Sequence, residues 1–391
     1  MPAVVLVEGV RTPHGTLLGS LSDASGVELG RTAVDGLVSR AGLADDRVDW
    51  VALGNAIQAG IGQAPARQAV IASTLPDATP ATTVNEASGS GLRAIGLAAD
   101  RIAAGRATFA VAGGFESMTH APWVLPGLRE GKRHGDVTLK DSMVLDALWD
   151  VSLDVHMGEI TERLVDRVGD EYDLSRERQD TYALESHRRA AEAVADGTYD
   201  PEVVPVETSD GTVERDEGPR PDSTLETLGD LQPAFRSEGT ITAANASKLA
   251  DGAGAVLLAD ADAAAEAGLD PMARLVDYAV VYRPPDEFNE AVGDVVERLL
   301  ERNDLSVDDL DACWINEAFA AQSVYLLQRL EIPRDRLNPR GGAIAYGHPI
   351  GGSGGMLTAS LAHQLQQEGL TYGIVGMSVG GGGAIMSLWE R

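Results

Sequence analysis

Two stretches of this chain are versions of one another. The segment LADDRVDWVALGNA at 43–56 returns as LSVDDLDACWINEA at 305–318, a constant offset of 262 residues (Leu43 against Leu305). Each reads as an acidic turn feeding a buried strand. Downstream of each copy a glycine-rich turn opens a helix, GSGLRAI at 89–95 and GGSGGML at 351–357. One match can arise by chance, but the same order of strand, turn and helix in both halves implies a duplication. Around the repeat, short apolar runs (Val4 to Glu8, Phe109 to Ala112, Arg274 to Val281, Ile374 to Met377) alternate with helical patterns, as in layered α/β units. Two such halves packed together predict five layers, αβαβα, with helices between two sheets.

The stretch 120–246 between the halves is more charged. It holds a helix over 175–196, closed by Gly197, and the turn-rich run DEGPRPDS at 216–223. Met143, Val144, Leu145, Leu148, Trp149 and Phe235 are apolar enough to pack, which favours an inserted, ordered loop domain over a disordered linker. The expected division is 1–119 with 247–268 for the first half, 120–246 for the loop domain, and 269–391 for the second half.

With 391 residues, 44% of them hydrophobic, the chain has material for a large core. Its longest apolar runs, such as Ala3 to Val7 and Val375 to Val379, fall far short of the roughly 18 residues a membrane span needs. The first residues lack the pattern of a secretory signal, so the expected location is the cytoplasm. Cys313 is the single cysteine: no intrachain disulfide and no cysteine-based zinc cluster is expected, and its apolar strand setting reads as an inert thiol. Sixty acidic against 31 basic side chains give a net charge of −29 spread over the whole length. That balance suits a halophilic surface, where salt screens self-repulsion, and excludes nucleic acid as a partner.

Ser88 follows the strand-like TTVN and precedes a helix whose apolar face is Leu92, Ile95, Ala99 and Ile102. It therefore stands at a helix N-terminus, where free amides and the dipole favour developing negative charge. Taken alone, an N-cap serine is the better reading. His348 is embedded in glycines at 338–354, with little side-chain packing to justify a structural role. Asn316 falls at the C-terminal edge of the second repeat's strand, where α/β sheets gather their sites. MSVGGGG at 377–383 is a further segment of nearly bare backbone.

Together these segments resemble the thiolase family. The likeness rests on NEAFA at 316–320, Gly347-His348-Pro349, the turn after Ser378, GQAPARQ at 62–68 and NAS at 245–247, and it extends over essentially the whole chain. It implies reversible Claisen condensation of acetyl-CoA to acetoacetyl-CoA, or cleavage of 3-ketoacyl-CoA, with no permanent cofactor and no metal. Ser88 and Ser378 occupy the positions of the family's two catalytic cysteines. The resemblance implies that His348 activates the nucleophile and, with Asn316, stabilises the enolate oxygen, and that the amides of Ser88 and Gly380 hold the thioester oxyanion. His156, Met157, Ala318 and Phe319 would line the pantetheine pocket, with Ser247 contacting pantetheine and Arg220 near the CoA nucleotide. The loop domain would bind CoA and, through 125–143, build a homodimer or homotetramer. A small OB-fold or zinc-ribbon partner subunit is known among archaeal relatives.

Three departures qualify the resemblance. A serine hydroxyl is far less acidic than a thiol, whose reference pKa is about 8.5, so Ser88 needs His348 to take its proton. A hydroxyl at Ser378 is a poor base for an α-proton, which makes His156 a candidate for that step, with a mere wall residue as the equal alternative. VVYRPPDEFN at 280–289 replaces the family's MetGly-x-GlyPro loop, so acyl-chain preference does not carry over. The leading expectation is an active acyltransferase forming an acyl-Ser88 intermediate. The alternatives are a non-catalytic or assisting acyl-CoA-binding subunit, serines introduced to trap an intermediate and, last, a decarboxylating or hydroxymethylglutaryl-type condensing enzyme.

Overall fold

The computed structural model describes residues 3–391. The first half runs β1 (Val4–Arg11), α1 (Gly26–Ala41), β2 (Trp50–Gly54), α2 (Pro65–Ala72), β3 (Ala81–Val84), α3 (Ser90–Ala103) and β4 (Phe109–Ser117). The loop domain follows with α4 (Met157–Val168) and α5 (Arg176–Ala195), after which β5 (Ala250–Asp260) returns to the first half. The second half runs β6 (Ala273–Tyr282), α6 (Phe288–Arg302), β7 (Ala312–Ile315), α7 (Ala320–Arg329), α8 (Ser353–Glu368), β8 (Tyr372–Val379) and β9 (Gly383–Glu390).

Local signals set the helix ends. Ser25 and Glu28 form a reciprocal capping box before α1, and Gly42 ends that helix with φ of 64°. Ser175 caps α5, and Gly197 follows it in the left-handed region.

The duplication is visible in the topology. In the first half the strand order is β3-β2-β4-β5-β1, with β2 parallel to β3 and β4, and β5 antiparallel to its neighbours. In the second it is β7-β8-β9-β6, with β7 parallel to β8 and the remaining pairs antiparallel. A counterpart of β3 survives only as one parallel bridge, Cys313 to Leu337. The two sheets are not separate: β1 pairs with β6 at Val5–Arg274 and Leu6–Ala273, joining them edge to edge. The joined sheet folds around α3 and α8, which cross in the middle layer. One core lies between the sheet halves and includes Leu92, Ile95, Leu361, Val375 and Ile385. The outer cores place α1 and α2 on the first half, and α6 and α7 on the second. This is the five-layer order.

The loop domain is ordered and packed onto the second half. Tyr182 and Ser186 of α5 donate to the buried carboxylate of Glu317 at 2.8 and 2.7 Å, and Asn338 Nδ2 and the Ile344 amide complete its shell at 3.1 and 3.2 Å. Among the described residues no helix is long and apolar enough to cross a membrane.

Candidate active site

The turn between β3 and α3 aims Ser88. Ala87 sits at φ 47°, a conformation that costs a non-glycine residue energy and persists only where its surroundings enforce it. Ser90 supplies the enforcement: its Oγ accepts from the Glu86 amide at 2.8 Å and donates to the Ala87 carbonyl at 2.6 Å. Gly89 is the cap residue of α3 and no side chain caps that helix, so the N-cap reading of Ser88 is displaced. Ser88 Oγ lies 2.9 Å from His348 Nε2.

His348 is held at three points. Its amide donates to Lys248 O at 2.9 Å, Nδ1 lies 2.6 Å from Ser353 Oγ, and Nε2 meets Ser88. Gly347 has φ of 108°, and a Cβ there would lie 2.5 Å from Ala250 Cβ, so only glycine brings the histidine in. Burial, with His14 adding to it, pushes the His348 imidazole down to about 3. It is neutral at physiological pH. With Nδ1–H donating to Ser353, the Nε2 lone pair is free to accept from Ser88.

Asn316 and Ser378 are neighbours across the second sheet half, because the Asn316 amide donates to Gly376 O at 2.9 Å. Asn316 is 3% exposed, yet its Nδ2 has no acceptor among the described residues. A buried orphan donor is costly unless a ligand or water uses it. Gly380 adjoins the Ser88 turn: a Cβ built on it would meet Ala87 Cβ at 3.8 Å. The Ser88 and Gly380 amides have no acceptor among the described residues.

The remaining expected residues fall into two groups. Met157, Phe319, Ala318 and Phe235 form one apolar cluster, and Ser247 joins it through its amide bond to Ala318 O at 3.0 Å. His156 stacks on Phe235 with centroids 4.7 Å apart. Arg220 stands apart from that cluster, donating its amide to His187 Nδ1 at 3.1 Å. Lys248, whose ammonium donates to Gly218 O and Ala345 O, is pushed down to about 7 by burial and by Arg220.

Of the two readings of His156, base and wall residue, the geometry favours the wall residue. His156 Nδ1 accepts the Gly158 amide at 3.0 Å as the cap of α4, so the neutral ring carries its proton on Nε2. The nitrogen left free is a donor, and His156 cannot serve as the neutral base for an α-proton.

Sequence reading also missed Ser353, Lys248 and the turn-fixing role of Ser90. Ser353 was within reach, since it opens α8 five residues beyond His348 and replaces a glycine in a glycine run. The thiol of Cys313 is fully buried and pushed up to about 12 by that burial.

Residues 4–262 match the thiolase N-terminal domain and 269–391 the thiolase C-terminal domain. The chain belongs to the thiolase family. It is 40% identical to a probable acetyl-CoA acyltransferase of Staphylococcus epidermidis, covering 100% of this chain and 99% of the relative. It is 41% identical to the acetyl-CoA acetyltransferase of Cupriavidus necator, covering 100% of both. Among solved structures, the Bacillus anthracis acetyl-CoA acetyltransferase superposes with a TM-score of 0.94 at 36% identity, over 100% of this chain and 99% of that one. Human mitochondrial 3-ketoacyl-CoA thiolase in complex with CoA gives 0.96 at 34% identity, over 100% and 98%.

Proposed function

We propose that this protein is an acyl-CoA thiolase, an acetyl-CoA C-acetyltransferase and 3-ketoacyl-CoA thiolase that works through an acyl-Ser88 intermediate. The observation that carries the reading is the 2.9 Å contact between Ser88 Oγ and Nε2 of His348. Almost no alkoxide exists at neutral pH, so the hydroxyl must lose its proton as it attacks, and a neutral imidazole at this distance is the partner that takes it. The Ser88 and Gly380 amides are the donors for the thioester oxyanion, placed on rigid backbone where charge develops. Collapse of the tetrahedral intermediate expels CoA, which leaves as the thiol with the proton from His348.

Acylation then frees Nε2, because the Ser88 ester no longer donates to it. In this reading that lone pair removes the α-proton of the second acetyl-CoA. Asn316 Nδ2, through a water, steadies the enolate oxygen, and the carbanion attacks the acyl-Ser88 carbonyl; the ester C–O bond breaks, Ser88 Oγ takes back the proton held on His348 Nε2, and acetoacetyl-CoA is released. Ser378 orients by its hydroxyl instead of taking the proton. Ser247, Met157, Ala318, Phe319 and the ring of His156 form the pantetheine channel, with Arg220 and Lys248 as the cations nearest the CoA phosphates. The reading calls for no metal; among the described residues no group of three His, Cys, Asp or Glu side chains gathers to hold one.

The chain works as a homo-oligomer in the cytoplasm of a salt-adapted cell. Exposed Trp123, Leu128, Val137 and Leu139 support docking through 125–143, and light scattering in high salt separates dimer, tetramer and a complex with a small second subunit. The test of the chemistry is mass spectrometry after incubation with acetyl-CoA. A peptide containing Ser88 should gain one acetyl group, and Ser88→Ala should lose both the label and acetoacetyl-CoA formation. Full activity in that variant overturns the serine mechanism. Tight CoA binding without turnover would instead make the chain an assisting subunit.

A further inference from the structure

A small cavity lies behind the catalytic pair, bounded by Ser353 and Asn316 toward the site and by Arg11, His14 and Tyr346 on the far side. Its volume of about 20 Å³ is room for one water, and the polar groups of Ser353, Asn316, Arg11 and His14 in an otherwise largely apolar wall are the partners such a water needs. Nothing in the reaction described so far uses the far wall.

His14 is fixed in that wall. Its amide donates to Asp216 Oδ1 at 2.8 Å, its Nδ1 lies 3.0 Å from the same oxygen, and its ring stacks on Tyr346 with centroids 5.4 Å apart. Asp216 is clamped by both terminal nitrogens of Arg11 at 2.8 and 2.9 Å. Burial opposes the charge on this carboxylate, but Arg11 and His14 outweigh it and hold the group below the usual range. A carboxylate against Nδ1 places the ring proton there and leaves His14 Nε2 as an acceptor.

The charges around His14 do not balance. Arg11 faces two carboxylates, Asp216 and Glu202, the latter paired to Arg11 Nε at 2.5 Å, while Tyr346 and His348 are neutral. One negative charge is thus left over beside His14; burial holds the ring below its usual value, and the Asp216 carboxylate pulls it back up. His348 is in the opposite position: it has no carboxylate partner, only the Ser353 hydroxyl, and burial resists its protonation.

We propose that His14 and Asp216 form a proton relay behind His348, reached through Ser353 and a water in the intervening cavity. The inference rests on the reading of Ser88 as nucleophile. As Ser88 attacks, its proton passes to His348 Nε2 and the Nδ1 proton passes to Ser353 Oγ. The Ser353 proton passes to the water, and a water proton passes to His14 Nε2. Each intermediate member gives one proton and takes one, and the positive charge comes to rest on His14 beside Asp216. Reversal of the same shifts returns a proton through His348 to the departing CoA thiolate. His14 and Asp216 touch no substrate and act as positioning and charge-holding residues.

Two variants test this. His14→Phe keeps a ring on Tyr346 but has no nitrogen; His14→Asn keeps a donor for Asp216 but cannot accept the relayed proton. Rapid-quench mass spectrometry of Ser88 acetylation should show both slowed by about 10²-fold, with KM for acetyl-CoA within about twofold of wild type. In the S88C background the same His14 changes should cost only a few-fold, because a thiol releases its proton far more readily. A wild-type acylation rate in His14→Asn, or an equal loss in both backgrounds, overturns the relay and makes His14 a packing residue. Acetoacetyl-CoA formation by wild type with no acetyl on Ser88 would overturn the nucleophile assignment, and the relay with it.

Discussion

The two copies of the glycine turn are built alike and used differently. In the first half the turn before α3 is open at Ser88, and its glycines let backbone reach a ligand. In the second half the turn before α8 is sealed: at the offset of 262, Ser88 corresponds to Ile350, which is 2% exposed, and Ser353 faces inward to His348. Duplication supplied two helix starts. In the proposed reaction one is the nucleophile's platform and the other supports its base. The crossing of α3 and α8 brings the two within one hydrogen bond although 260 residues separate Ser88 from His348.

The largest contrast expected between the copies concerns that crossing. A Cβ on Gly354 would lie 2.1 Å from Leu92 N, and one on Gly355 2.1 Å from Gly254 O; backbone cannot yield that far. Gly354→Ala should cost at least about 4 kcal/mol, a large share of a domain's stability. Gly380→Ala, with nothing closer than 3.8 Å, should fold with a melting temperature near wild type and show its defect in kcat. Thermal unfolding in high salt measures both. A stable Gly354→Ala would mean that the α3–α8 crossing is looser than described.

The next contrast is between the chain's two possible sulfur positions. S88C should remain folded, become acylated on sulfur and lose activity to iodoacetamide. Wild type should resist the reagent, since its one thiol is buried in β7 with its pKa pushed up to about 12. Rapid inactivation of wild type would break the assignment of the first-half turn as the reactive one.

Acid should destabilise the fold through two buried histidines, one at the site and one in α5. Burial lowers His348 to about 3, and burial together with Lys248 and Arg220 lowers His187 to about 3. The unfolded chain takes up protons at these rings near pH 6.5, and the folded chain does not until far lower. Stability therefore falls as pH drops from about 6.5 toward about 3, by up to about 1.4 kcal/mol per pH unit per imidazole. Urea midpoints across that range should show the slope, and His187→Gln should reduce it by roughly one imidazole's share. A flat profile would mean that both rings accept protons in the folded state.

What was legible in the sequence follows from how local each signal is. The repeat, the helix starts at Ser90 and Ser353, and the glycine bed of His348 are set by neighbours along the chain, and all could be read there. Ser353 as partner of His348, and Asp216 as partner of His14 across 202 residues, depend on how loops return through the fold. His156 failed for a subtler reason. Its bond to the Gly158 amide spans two residues, but which ring nitrogen it uses is set by rotamer and backbone angle, and residue type alone is silent on both. The joining of the sheets was unreadable too, since it rests on two β1–β6 pairs in strands that look like any other edge.

The smallest expected effect comes from swapping one half's core residue into the other. At the offset of 262, Cys313 corresponds to Val51; both are fully buried, in β7 and β2. Cys313→Val therefore places in the second half the side chain that the first half already carries. The exchange adds apolar volume to a packed site beside the single bridge to Leu337, where β3's counterpart is reduced, so the strand has some room to adjust. A change below about 1.5 kcal/mol is expected, with kcat and KM for acetoacetyl-CoA cleavage unaltered. A fall in kcat without loss of stability would give Cys313 a part in the chemistry. A large destabilisation with normal kcat would instead show that the two halves, though alike in topology, pack their equivalent strands in ways that no longer exchange.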